Sequence, residues 1–137
     1  MDLGPVKMAG LIINQPFFGG LEKTRLERRK PNDVMIPRSS MDLLWELALP
    51  VGSDQDHEYC NPFIKGSYHK NIGLLPRTLI RAFQGDPLMD RDIHFVKMLV
   101  KLGVQITGHF GEIGFHCADS FDATRNLTMI KYMKDFI

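Results

Sequence analysis

Asp86, in the stretch QGDPLMD, and His116, in GEIGFHCADSF, stand 30 residues apart. A carboxylate beside an imidazole fixes the ring's tautomer and stabilises its protonated form, which is what a histidine needs to act as a general base. The pair therefore suits general acid–base chemistry. Structural roles compete for the same residues. Asp86 precedes Pro87 and can cap a following helix, His116 can be a loop histidine, and Asp90 in the same stretch is a rival acid.

The elements around these residues decide whether they can meet. Residues 10–14 (GLIIN) form a compact apolar run ended by Gln15-Pro16 and predict a buried strand. Residues 77–83 (RTLIRAF) and 104–110 (VQITGHF) predict two more, stopped by Gly85 and Gly111. Between them, Ile93, Val96, Leu99 and Val100 recur at helical spacing, and Gly103 sits where a helix-ending glycine belongs. Residues 119–137 repeat the helical pattern with Phe121, Leu127, Ile130 and Met133, with Asp119 or Ser120 as the N-cap. A further helix is predicted over residues 40–49, opened by a capping-box-like Ser39-x-x-Asp42 and stopped by Pro50. The segment KTRLERRK, residues 23–30, reads as a solvated connection, and residues 50–63 as a long irregular loop.

Strands alternating with helices predict an α/β layered fold with parallel strands. Right-handed crossovers end parallel strands at one edge of the sheet. One strand–helix–strand unit separates Asp86 from His116, so both are expected at the carboxyl edge, where open α/β sheets bind ligands.

Composition narrows the function classes. The chain has 137 residues, 44% hydrophobic and 24% charged, which fits one globular domain or part of a larger one. With 17 basic and 16 acidic side chains, the net charge of +1 gives no reason to expect nucleic acid or an anionic membrane as partner. Two cysteines are too few for a disulfide scaffold, and His57-x-x-Cys60 has no second ligand pair, so a structural role is expected there and no metal. No apolar run reaches the ~18 residues of a membrane span. The first residues lack a basic-then-apolar leader, which predicts a cytoplasmic protein with access to the nucleus. On the same ground the glycosylation-type triplet Asn126-Leu127-Thr128 is discounted.

The blocks LIINQPFFGG, DLLWELALPVGSDQDHEYCNPF, GDPLMDRD and HFGEIGFHCADSF, in this order, resemble the C-terminal half of a plant carboxylesterase. That group lies in the branch of the α/β-hydrolase superfamily related to hormone-sensitive lipase, which also includes the gibberellin receptors. The likeness runs from Val6 to Phe136. It implies a partial α/β-hydrolase fold of three parallel strands, the family's strands six to eight, with flanking helices. It implies Asp86 as the acid and His116 as the base of a catalytic triad, no metal or organic cofactor, and a small or medium ester as substrate. Met35, Leu44 and Trp45 are expected to line the acyl or alcohol pocket, with ordinary core packing as the alternative.

Two elements of the resemblance do not occur in these residues: a Gly-x-Ser-x-Gly nucleophile elbow and a His-Gly-Gly-Gly oxyanion segment. None of Ser39, Ser40, Ser53, Ser67 and Ser120 has glycines two residues to either side. The expectation is that residues 1–137 are the C-terminal portion of the domain, carry no nucleophile and are inactive alone. The strand at residues 10–14 would then lack a neighbour and invite self-association along its edge. The alternatives are a non-catalytic truncated remnant and a gibberellin-receptor-like binding protein. The latter resemblance implies an aliphatic residue where this chain has His116, and polar groups where it has Ser40, Met41 and Leu44.

Overall fold

The computed structural model describes Gly4, residues 7–66 and residues 68–137. Three short parallel strands, β1 (Leu11–Asn14), β2 (Thr78–Arg81) and β3 (Ile106–His109), form one sheet in the order β1-β2-β3. Leu11, Thr78 and Ile106 stand in one row across the sheet, and Asn14, Arg81 and His109 in another, so all three strands end at one edge. All four residues of β2 are buried, as a central strand covered on both faces requires. β1 and β3 are only partly buried. Among the described residues, β1 pairs with β2 alone and its other edge faces no strand.

The described residues also form six helices: α1 (Arg25–Arg29), α2 (Arg38–Ala48), α3 (His69–Ile72), α4 (Met89–Lys101), α5 (Ala118–Phe121) and α6 (Ala123–Phe136). Ile80 of β2 packs with Phe95 and Leu99 of α4 and with Val104 to make the main core. Ile36, Met41 and Leu88 make a second cluster beyond the end of the sheet. α4 ends as its glycine predicts. Gly103 has φ +83°, its N–H bonds the Val100 carbonyl at 3.1 Å, and the Val104 N–H reaches the Leu99 carbonyl at 3.0 Å.

Several local expectations are corrected. The capping box lies at Thr24 and Glu27, not at Ser39 and Asp42. α2 starts at Arg38 with Pro37 as its N-cap, so Ser39 falls inside the first turn, and Asp42 instead accepts hydrogen bonds from Lys23 and Gln55. Residues 23–30 are not merely a solvated connection, because Glu27 of α1 is buried and paired with Arg91. The buried face of α4 is Arg91, Asp92, Phe95 and Leu99, while Val100 is exposed, so the buried stripe is rotated toward Arg91 and Asp92. At the C-terminus Asp122, rather than Asp119 or Ser120, caps α6, accepting from the N–H groups of Thr124 and Arg125. Phe121 and Leu127 of that predicted stripe are exposed.

Candidate active site

Beyond the sheet, the tails of β2 and β3 stay zipped together. The Gln84 N–H donates to the Glu112 carbonyl at 2.7 Å, and the Gly114 N–H donates to the Gln84 carbonyl at 3.0 Å. Gly85 follows with φ +111°, and a Cβ there would lie 2.5 Å from the Gly114 carbonyl oxygen. A glycine is needed at this close approach for both reasons. The two tails then turn, and each delivers one candidate side chain.

These side chains are Asp86 and His116. His116 Nδ1 lies 2.7 Å from Asp86 Oδ2. Asp86 is fully buried and His116 is 8% exposed. The second carboxylate oxygen is also satisfied, since Asp86 Oδ1 accepts from the Leu88 N–H at 2.8 Å. Asp86 therefore performs the local turn role and the imidazole contact together. The Lys30 ammonium donates to the Gly85 carbonyl at 2.5 Å and pins the turn from outside.

Asp90, the rival acid, is elsewhere: its Oδ2 accepts from the Leu26 N–H, and it lines a surface cleft with Arg25, Arg28 and His94. Asp92 is a different case. It is fully buried, neither of its carboxyl oxygens has a hydrogen-bond partner among the described residues, and burial followed by the Asp86 charge pushes it up to about 9. It therefore stays a neutral acid.

On the other side of the imidazole, Phe17 meets His116 edge to face at 6.1 Å between ring centroids, and Trp45 stacks on Phe17 at 5.8 Å. Met35 packs on the Ile36–Met41–Leu88 cluster beside Phe17. Trp45 thus reaches the region of His116 through Phe17, Met35 shares the cluster that Phe17 packs on, and Leu44 is 54% exposed on α2. Gly19 lets this wall close, because a Cβ there would run into Cys60 Sγ and come within 2.8 Å of Trp45 Nε1. Cys60 is itself fully buried, and burial pushes its thiol up to about 11.

The residues that sequence reasoning missed are polar and lie at the strand ends. Gln15 and Arg81 bond to Asp119 and are buried with it, below the turn that carries His116. Only the buried position of Arg81 in a strand run could have signalled this. Among the described residues no group of acidic, histidine and cysteine side chains is arranged to hold a metal ion, and no helix is long and apolar enough to cross a membrane.

Comparison with known proteins places this geometry in context. A family model described as alpha/beta hydrolase fold matches residues 2–120. A 3-O-acetylpapaveroxine carboxylesterase of Papaver somniferum is 44% identical over 140 residues, covering 100% of this chain and 45% of that protein. A probable carboxylesterase of Arabidopsis thaliana is 38% identical over 136 residues, covering 99% of this chain and 42% of its own. The crystal structure of vibralactone cyclase superposes with a TM-score of 0.72 at 15% identity, covering 94% of this chain and 38% of that one, a likeness of fold. The chain thus spans less than half the length of the curated relatives it matches.

Proposed function

This chain belongs to the α/β-hydrolase fold family, and on that premise we propose that Asp86 and His116 are the acid and base of a serine carboxylesterase. The observation that supports the reading most is the buried 2.7 Å contact between them at the carboxyl edge of a parallel sheet. With Nδ1 donating to Asp86, the neutral imidazole presents Nε2 as its basic nitrogen. Nε2 takes the proton of the attacking hydroxyl and returns it to the leaving alcohol, and Asp86 stabilises the intervening imidazolium. The Phe17–Trp45 wall supports an apolar group on the ester.

The attacking serine belongs, in this reading, to a segment outside these 137 residues, which form the C-terminal portion of the domain. The relatives' greater length supports this, as does the absence of a Gly-x-Ser-x-Gly stretch. Cys117, next to His116, does not substitute for that serine. Burial, then the charges of Asp119 and Asp86, push its thiol up, so it stays protonated and weakly nucleophilic.

The test is hydrolysis of short p-nitrophenyl esters by the 137-residue chain and by the same chain joined to the upstream part of a full-length carboxylesterase relative. The isolated chain should be no faster than free imidazole. The joined chain should turn over and bind a fluorophosphonate probe, and His116→Ala should remove turnover by several orders of magnitude. Stoichiometric labelling of the isolated chain, or full activity in the His116→Ala variant, would defeat the reading.

A further inference from the structure

We propose that Gln15 is a positioning residue for His116, acting through the backbone of Cys117, with Asp119 and Arg81 holding Gln15 in place. The inference rests on the reading of Asp86 and His116 as acid and base. Among the described residues, Gln15 (φ 50°) and Cys117 (φ 62°) are the non-glycine residues with left-handed backbone. Such a conformation is disfavoured by the Cβ and persists where the surroundings over-determine it. Here the two strained residues meet. Gln15 Oε1 accepts from the Cys117 N–H at 2.5 Å.

The other end of the Gln15 amide is anchored as firmly. Gln15 Nε2 donates to Asp119 Oδ1 at 3.0 Å, and Asn14 Nδ2 donates to Asp119 Oδ2 at 3.0 Å. Arg81 Nη1 donates to the same Oδ2 at 2.7 Å, while its Nε and Nη2 form a fork on Glu112 at 2.9 and 3.0 Å. Burial alone would raise the Asp119 carboxyl, but the hydrogen bonds from Asn14, Gln15 and Arg81, with the Arg81 charge, hold it below the usual range. Asp119 is thus a fixed anion, and Gln15 and Arg81 are buried around it.

The geometry has a direction. The ends of β1 and β2 grip Asp119 and the N–H of Cys117, and His116 lies immediately before Cys117 in the same turn, closed by the Ala118 N–H on the Phe115 carbonyl at 3.0 Å. Among the described residues, none of these groups hydrogen-bonds to the imidazole, whose ring nitrogen Nδ1 is held by Asp86. They fix where its Cα sits, and that decides whether Nδ1 can reach Asp86. The two strained residues are the parts of a single clamp between the sheet edge and the histidine loop.

The experiment uses the 137-residue chain with ¹⁵N-labelled histidine and follows exchange of the His116 Nδ1 proton with water. Gln15→Leu keeps bulk and removes the amide. It should speed that exchange about tenfold, the size of one net hydrogen bond in local opening. The paired change Gln15→Glu with Asp119→Asn reverses donor and acceptor at constant charge and should return exchange to near the original rate. Gln15→Asn, one methylene shorter, serves as the second single variant if Gln15→Leu does not fold, with the same acceleration expected. A drop in melting temperature with unchanged Nδ1 exchange would make Gln15 a packing residue only and overturn the proposal. The readout needs no ester hydrolysis, so failure of the esterase reading would show in the turnover assay and not here.

Discussion

Gly85 and Gly114 approach so closely that a methyl group on the first would stand 2.5 Å from the carbonyl oxygen of the second. This contact is where the chain passes from sheet to site, one residue before Asp86 and two before His116. Gly85→Ala adds a left-handed strain at φ +111° and a clash that only separation of the two tails can relieve. A loss of about 2–4 kcal/mol in urea unfolding is expected. Gly52→Ala is the control: it shares the positive φ, +86°, but has nothing within 4 Å of the added carbon. It should cost only about 1 kcal/mol. Equal costs for the two would mean that the tails are not held together at this point.

Asp92 should make stability fall as pH rises. Its folded carboxyl is pushed up to about 9, far above the unfolded value of 3.8. A raised group contributes fully below the unfolded value and loses its contribution as pH climbs through the folded one. Each pH unit in that window is worth ~1.4 kcal/mol for a single proton, so up to about 4 kcal/mol separates pH 5 from pH 8. Asp92→Asn, of equal size and without the proton, should flatten that slope and be more stable than the parent at pH 8. Urea midpoints at the two pH values check this. Parallel pH profiles for parent and variant would show that Asp92 is not buried as a neutral acid.

Glu27 and Arg91 should be strongly coupled. Glu27 Oε2 lies 2.9 Å from Arg91 Nη2, both side chains are almost fully buried, and Arg91 Nη1 also donates to the Gly19 carbonyl at 2.7 Å. Removing one buried partner leaves the other charge uncompensated, typically at 3–5 kcal/mol, whereas removing both is much milder. Arg91→Met and Glu27→Gln should therefore each destabilise by about 3 kcal/mol, and the double variant by clearly less than the sum. Additive losses in this cycle would show that the pair does not interact as drawn.

Glu27 and Arg91 also show where sequence reading stops. The three strands were legible because each is a compact β-rich run closed by a glycine or proline, and the structure keeps them, shortened to four residues each. The meeting of Asp86 and His116 was legible because topology brings the ends of neighbouring parallel strands together. Charged residues defeated the same logic. Periodicity counts apolar side chains, so it put Val100 on the buried face of α4 and missed Arg91 and Asp92. A residue such as Asp119 has one letter for two roles. Its place before a helix reads as a cap, while the cation that claims it, Arg81, is 38 positions away. Capping boxes fail similarly, since Thr24–Glu27 and Ser39–Asp42 have the same spacing. Pro37, at the N-cap, starts α2 at Arg38, too early for Ser39 to cap it.

The open edge of β1 gives the last prediction. The N–H groups of Leu11 and Gln15 donate to Arg77 and Arg81 of the neighbouring strand segment. Alternation along a strand therefore turns the N–H of Ile12 outward, to the side where no described strand pairs. A largely apolar cleft lies at the start of β1, lined by Met8, Ile12, Arg77, Phe136 and Ile137, with Met8 and Ile137 more than half exposed. An unpaired edge next to apolar surface is a template for another strand. The 137-residue chain should therefore self-associate in sedimentation velocity as concentration rises, and bind the dye ANS. Ile12→Pro removes the outward donor, and proline is tolerated on such an edge, so association should weaken while the fold remains. Ile13→Pro removes a donor to β2 instead and should unfold the sheet. A parent chain that stays a monodisperse monomer without dye binding would show that the β1 edge is covered. In that case Ile12→Pro should leave its sedimentation unchanged.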